Sequence, residues 1–216
     1  NYKPLDRLVF AARLPVAALA LLLGTLAFRW AADLFGPRAG LLTLLILTFD
    51  PNIVAHAGVA ATDLGATCFI LLALFTFQRF LERPTIGRWA LAGLALGLAQ
   101  GTKLSALLLL PTQGILLLAY GWHRHSSDRK QVQLLKRATR PRRWRTWVNL
   151  GVAYAGMLAL AALVLWALYS FQVGPVPGLD VSLPAASHAI PWLRLREHMA
   201  GGHAAFLMGK ISHHGW

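Results

Sequence analysis

Four long stretches of this chain carry no charged residue: 14–28, 64–78, 104–122 and 146–179. Runs of this kind limit the folds open to a chain more than any motif does. About 20 apolar helical residues cross the ~30 Å hydrocarbon core of a bilayer, and inside lipid every backbone group must find its partner within the helix. The 216 residues are 56% hydrophobic and only 13% charged, with mean hydropathy +0.53, where a soluble domain carries roughly 25% charged residues. The expected fold class is therefore all-α: a polytopic transmembrane helical bundle.

Six membrane segments are predicted, at residues 8–30, 37–49, 63–80, 84–100, 104–122 and 147–173. Pro37 and Pro84 suit first-turn positions, where the missing N–H costs nothing. The second and fourth segments fall short of a full span, so their far ends, Asp50-Pro51-Asn52 and Gly101-Thr102-Lys103, are expected below the membrane surface. Non-helical backbone at that depth must line a protein cavity. Residues 1–173 form the transmembrane region, and 174–216 read as the start of a truncated extracytoplasmic segment. The chain opens at Asn1 and closes at Trp216 with no signal peptide in view, and it is read as a fragment.

The net charge of +13 raises the question of nucleic acid, but its placement answers otherwise. Nine of the 21 basic residues sit in one loop, 124–145, which reads as a topology signal and a contact for anionic lipid. No nucleic-acid partner is expected, since no reading module accompanies the charge. Fourteen of the 21 basic residues fall on the side holding 29–38, 79–88 and 124–145. The positive-inside rule makes that side cytoplasmic. Asp50, Asp63, Lys103 and the tail then face outward. The single cysteine, Cys68, excludes an internal disulfide and reads as a small buried hydrophobe.

The chemistry-bearing stretch is residues 50–63, DPNIVAHAGVAATD, which holds two carboxylates, an Asn and a His between apolar runs and no Lys or Arg. Ionisable groups at membrane depth are costly and face a cavity, a partner or a substrate. Asp50 has a plain use in stopping a helix and binding local backbone donors. Asp63 has one in starting the next helix, where the dipole favours an acid. His56 lies between them, either a hydrogen-bonded structural residue or the complement of an Asp/His cation site. Lys103 either snorkels at a helix end or presents an ammonium to a phosphate. A possible divalent metal is left open as a cofactor. In the tail, His188, His198, His203, His213 and His214 lack the tight ligand spacing of a metal site. Residues 190–199 read as a short amphipathic interfacial helix. Gly93, Gly97 and Gly101, at i, i+4 spacing, form a stripe suited to close helix packing.

The run FDPNIVAHAGVAATDLGATCF through LGLAQGTKLSALLLLP, with FLMGKISHHGW at 206–216, resembles the protein-O-mannosyltransferase-like glycosyltransferases, including the aminoarabinose transferase branch. The resemblance implies a GT-C enzyme that moves a sugar from a polyprenyl-phosphate donor to a protein, lipid or glycan acceptor at the extracytoplasmic face of the cell (plasma or inner) membrane. It implies that Asp63 organises the donor or acceptor site and that Lys103 lies near the donor phosphate, with Asp50, Asn52 and His56 as further substrate-binding candidates. The family's catalytic Asp of the first extracytoplasmic loop falls upstream of Asn1, so the isolated fragment is expected to be inactive. Interrupted helices with mid-membrane acids also mark transport sites, which keeps a transporter or flippase open as the alternative. A lipid-binding anchor is a third reading.

Overall fold

The computed structural model describes residues 3–59, 62–134, 143–176, 179–188, 190–191, 205–207 and 210–212. They divide into two compact units, 1–164 and 165–216. The first is helical. It comprises α1 (Lys3–Phe35), α2 (Pro37–Phe49), α3 (Pro51–Ala57), α4 (Thr62–Glu82), α5 (Ile86–Thr102), a 3₁₀ turn at Leu104–Leu108, α6 (Leu109–Leu134) and most of α7 (Arg143–Leu168).

Gly36, at φ 91°, turns the chain sharply between α1 and α2, and Pro37 opens α2 at its first turn. A Cβ on Gly40 would lie 2.9 Å from both the Phe28 carbonyl and the Ala32 Cβ, so the absent side chain sets how closely these two helices approach. Pro84 does not play the matching part for α5. It stands outside the helix, and Thr85 caps α5 by accepting the Arg88 amide at 3.4 Å. A hydroxyl can hold an otherwise unpaired amide there, whereas a proline ring has nothing to offer it.

Contacts fix the directions of the helices. Leu19 reaches Gly65, Trp30 bonds Gln78 and Asp33 pairs with Arg79, so α1 and α4 run parallel. Arg88 bonds the Arg79 carbonyl at one end and Lys103 meets Asp63 at the other, so α5 returns antiparallel along α4. On α7, Leu160 fills the space over Gly93 and Val164 that over Gly97. Two members of the glycine stripe thus serve close packing, while Gly101 is exposed. Three buried clusters form the interior: Leu23, Leu64 and Cys68 between α1 and α4; Leu96, Ala99 and Leu109; and Phe77, Leu117 and Met157. Cys68 is fully buried. Outward faces carry Leu21, Leu41, Ile115 and Val152, each at least 62% exposed. An apolar exterior around a packed interior, with small residues where helices approach most closely, is what a lipid solvent permits.

Of the six predicted membrane segments, two of them short, four correspond to helices that are long and apolar enough to span among the described residues, at Arg7–Phe35, Thr62–Glu82, Leu104–His123 and Trp147–Leu168. A fifth span arises if α2 and α3, bent by 65°, act as one. α5 stops at 17 residues, a length of about 25 Å at 1.5 Å per residue. Its helix ends because Lys103 is extended, at φ −155° and ψ 145°. The last helix also stops sooner than residue 173. Ser170 and Phe171 take left-handed φ values of 52° and 57°, and the Phe171 amide bonds back to the Trp166 carbonyl at 2.9 Å, closing the helix end.

Among the described residues the second unit contains two antiparallel strand pairs, β1 (Val173–Val176) with β2 (Leu179–Pro184) and β3 (Ala205–Leu207) with β4 (Lys210–Ser212). The predicted helix at 190–199 lies almost wholly outside the described residues. So do His198, His203, His213 and His214. Of the predicted loop at 124–145, the residues up to Leu134 continue α6 and those from Arg143 belong to α7, while 135–142 lie outside the described residues.

Candidate functional site

The site is built from two interruptions in helical order at the same end of the first unit. The first is at Asp50, which closes α2 and opens α3. Its carboxylate Oδ1 accepts the amides of Asn52 at 2.8 Å and Ile53 at 3.1 Å, with Pro51 in the first turn. One oxygen thus satisfies two of the amides that a helix start leaves without partners. The bend lays α3 so that Ile53 and Ala57 pack against the cluster of Val16, Leu23 and Leu64. His56 stands exposed in the last turn of α3, close enough to Asp63 for an electrostatic interaction.

The second interruption is at Lys103. Thr102 Oγ1 bonds the Ala99 carbonyl at 2.7 Å as α5 ends, and the Ala106 amide bonds the Lys103 carbonyl at 3.0 Å as the 3₁₀ turn begins. The buried Gln100 amide spans the break and donates to the Ala106 carbonyl at 2.8 Å. Pro111 then falls in the first turn of α6, where its missing amide is tolerated. Released from the helix, Lys103 extends its Nζ to within 2.5 Å of Asp63 Oδ1, in the first turn of α4.

Of the five residues singled out in the sequence, the structure brings Asp63 and Lys103 into contact and places His56 near them. Asp50 is committed to the cap of α3. Asn52 is exposed on that helix. Among the described residues, no hydrogen bond or ion pair joins Asp50 or Asn52 to the Asp63–Lys103 pair. Asp63 and Lys103 side chains are 43% and 49% exposed, so each keeps capacity for a further ligand: the second carboxylate oxygen on one, two N–H donors on the other. The pair can orient a hydroxyl and receive a phosphate side by side.

Among the described residues no group of three His, Cys, Asp or Glu is gathered to hold a metal ion.

Sequence reading missed Gln100, whose amide staples the helix break. A lone glutamine closing an apolar run was the available signal. It also missed the polar network at the opposite end. There Asp33 on α1 pairs with Arg29 and Arg79, Arg79 also reaches Glu82 at 3.5 Å, and Trp30 Nε1 donates to Gln78 at 2.5 Å.

The family model described as dolichyl-phosphate-mannose-protein mannosyltransferase matches residues 5–135, more than half of the chain. That stretch runs from α1 into the end of α6 and includes Asp50, Asn52, His56, Asp63 and Lys103, while the histidine-rich end at 206–216 lies beyond it. No curated protein and no solved structure matches the chain. The transport alternative gains nothing from the match.

Proposed function

The chain belongs to the dolichyl-phosphate-mannose-protein mannosyltransferase family, a family of membrane glycosyltransferases, and from that premise we propose that its Asp63–Lys103 end takes part in sugar transfer from a polyprenyl-phosphate donor. The observation that carries the reading is the 2.5 Å approach of Lys103 to Asp63 across a broken helix. In the proposed reaction the acceptor oxygen bonds the anomeric carbon, the bond from that carbon to the phosphate oxygen breaks, and the lipid phosphate leaves with the electron pair. Lys103 stabilises the charge growing on that phosphate. Asp63 orients the acceptor hydroxyl as a positioning residue. The proton passes to the carboxylate that the family resemblance assigns to the first extracytoplasmic loop.

The sparsely basic side of the bundle, which carries Asp63 and Lys103, is taken as extracytoplasmic by the positive-inside rule. This puts the donor phosphate at the outer headgroup level with its chain in the bilayer. The acceptor, whether protein, lipid or glycan, arrives from the same side.

The test is transfer of labelled sugar from polyprenyl phosphate in membranes carrying the full-length enzyme. Lys103→Met should lower turnover by about 100-fold, the scale of one lost charge-stabilising group, and raise the donor KM. Asp63→Asn should reduce transfer with normal protein levels. Wild-type turnover in both variants would sink the reading.

A further inference from the structure

A second binding feature lies at the end of the first unit opposite Asp63 and Lys103. There α4, α5 and α7 leave a groove of about 520 Å³, within the range of small-ligand sites. Phe80, Trp89, Leu150 and Ala153 form its buried or half-buried walls, and Thr85 and Asn149 stand exposed at its edge. The groove is held open by its own packing. Trp89 Nε1 donates to the Ala153 carbonyl at 2.8 Å, and the Trp89 ring occupies the space over Gly156.

Its depth is set by the spans around it. The α4 span ends at Glu82, just past Phe80, and the α7 span begins at Trp147, just before Leu150. The groove therefore sits where acyl chains meet headgroups. The charge beside it is positive and partly uncommitted. Arg79 is engaged by Asp33 and Glu82, and Arg88 bonds the Arg79 carbonyl. Arg83 is exposed beside Pro84 and has no ion-pair partner among the described residues. The first turn of α5 adds amides and the positive end of a helix dipole.

We propose that this groove holds an anionic phospholipid, with one acyl chain against Phe80, Trp89 and Leu150 and its phosphate at Arg83 and the start of α5. Apolar walls at acyl depth and an exposed cation at headgroup depth match the two parts of that molecule. A zwitterionic lipid would carry its own cation to Arg83 and lose the attraction. The site is independent of the proposed sugar transfer.

The test places the full-length protein in nanodiscs of equal phosphatidylcholine and phosphatidylglycerol and reads retained lipid by native mass spectrometry. Wild type should retain phosphatidylglycerol over phosphatidylcholine, and Arg83→Gln should cut that preference about fivefold, the worth of one arginine at a membrane surface, while keeping the lipid. Ala153→Phe should fill the groove and remove both lipids. If that variant does not fold, Ile86→Glu, at a position 80% exposed, carries the test by repelling the phosphate and lowering phosphatidylglycerol retention. Equal retention of the two lipids by wild type, retention of an added polyprenyl phosphate in their place, or unchanged retention in the variants would overturn the proposal.

Discussion

Lys103 meets Asp63 because α5 breaks at Lys103 itself: an extended residue between Thr102 and the following 3₁₀ turn directs its ammonium across to the first turn of α4, 2.5 Å from the carboxylate. Forty residues of chain separate the two, and antiparallel packing of α4 and α5 brings them to one level. Had α5 continued as a helix, position 103 would have turned with its cylinder. The break is thus what makes the pair, and the Gln100 amide bonded to Ala106 is what keeps the break in place.

Reversing both charges separates pairing from chemistry. Asp63→Lys alone sets two ammonium groups together, and Lys103→Asp alone sets two carboxylates together. Each single variant should therefore melt earlier in detergent than wild type. The double variant should recover the melting temperature and remain inactive in sugar transfer, because the phosphate would then face a carboxylate. Recovery of transfer by the double variant would assign the pair a purely structural role.

Asp50 should behave as a cap. Asp50→Ala removes the acceptor for the Asn52 and Ile53 amides and should cost about 1 kcal/mol, read as a lower melting temperature. Asp50→Asn keeps an acceptor oxygen at the same place and should keep both stability and transfer. Loss of transfer in Asp50→Asn with stability intact would move Asp50 into the substrate site.

Glycines in the bundle should divide by what surrounds them. A Cβ on Gly97 would lie 2.6 Å from Val164 Cβ and 2.8 Å from the Ala161 carbonyl, whereas one on Gly114 meets nothing within 4 Å. Gly97→Ala should destabilise by about 1–3 kcal/mol through overpacking. Gly114→Ala should be neutral or stabilising by up to about 1 kcal/mol through helix propensity. Thermal unfolding of the two variants in the same detergent compares them directly.

Ser170 holds a left-handed φ of 52° at the end of α7. Ser170→Gly should relieve that strain and stabilise the helix end by about 0.5–1 kcal/mol. The gain is measurable as slower amide exchange at Phe171 and Gln172. Faster exchange there would show that the Ser170 side chain contributes more than its backbone costs.

His188 links pH to the β1–β2 region. Its ring packs edge-on against Tyr169 with centroids 5.8 Å apart, and partial burial moves its pKa below the ordinary imidazole value. The folded state therefore binds its proton less readily than the unfolded chain. The stabilising contribution is complete above about pH 6.5 and shrinks as pH falls from there through the depressed folded-state value. Amide protection at Ala185 and His188 should drop across that window in wild type and stay level in His188→Phe.

The chain alone determines that it forms an apolar helical bundle, because hydropathy over about 20 residues belongs to each segment whatever its neighbours do. It also determines the capping of α3 by Asp50, an interaction within three residues. The concentration of arginine at one end is legible for the same reason. Tertiary structure alone decided the rest. The contact of Asp63 with Lys103, the tie between Asp33 and Arg79, and the use of Gly93 and Gly97 by α7 all depend on how each helix is rotated and how far it slides against its neighbour. Apolar runs leave rotation and slide undefined, because every face of such a helix is acceptable to lipid. Small-residue contacts and a few long-range polar pairs settle them, and those pairs form only between positions far apart in the chain.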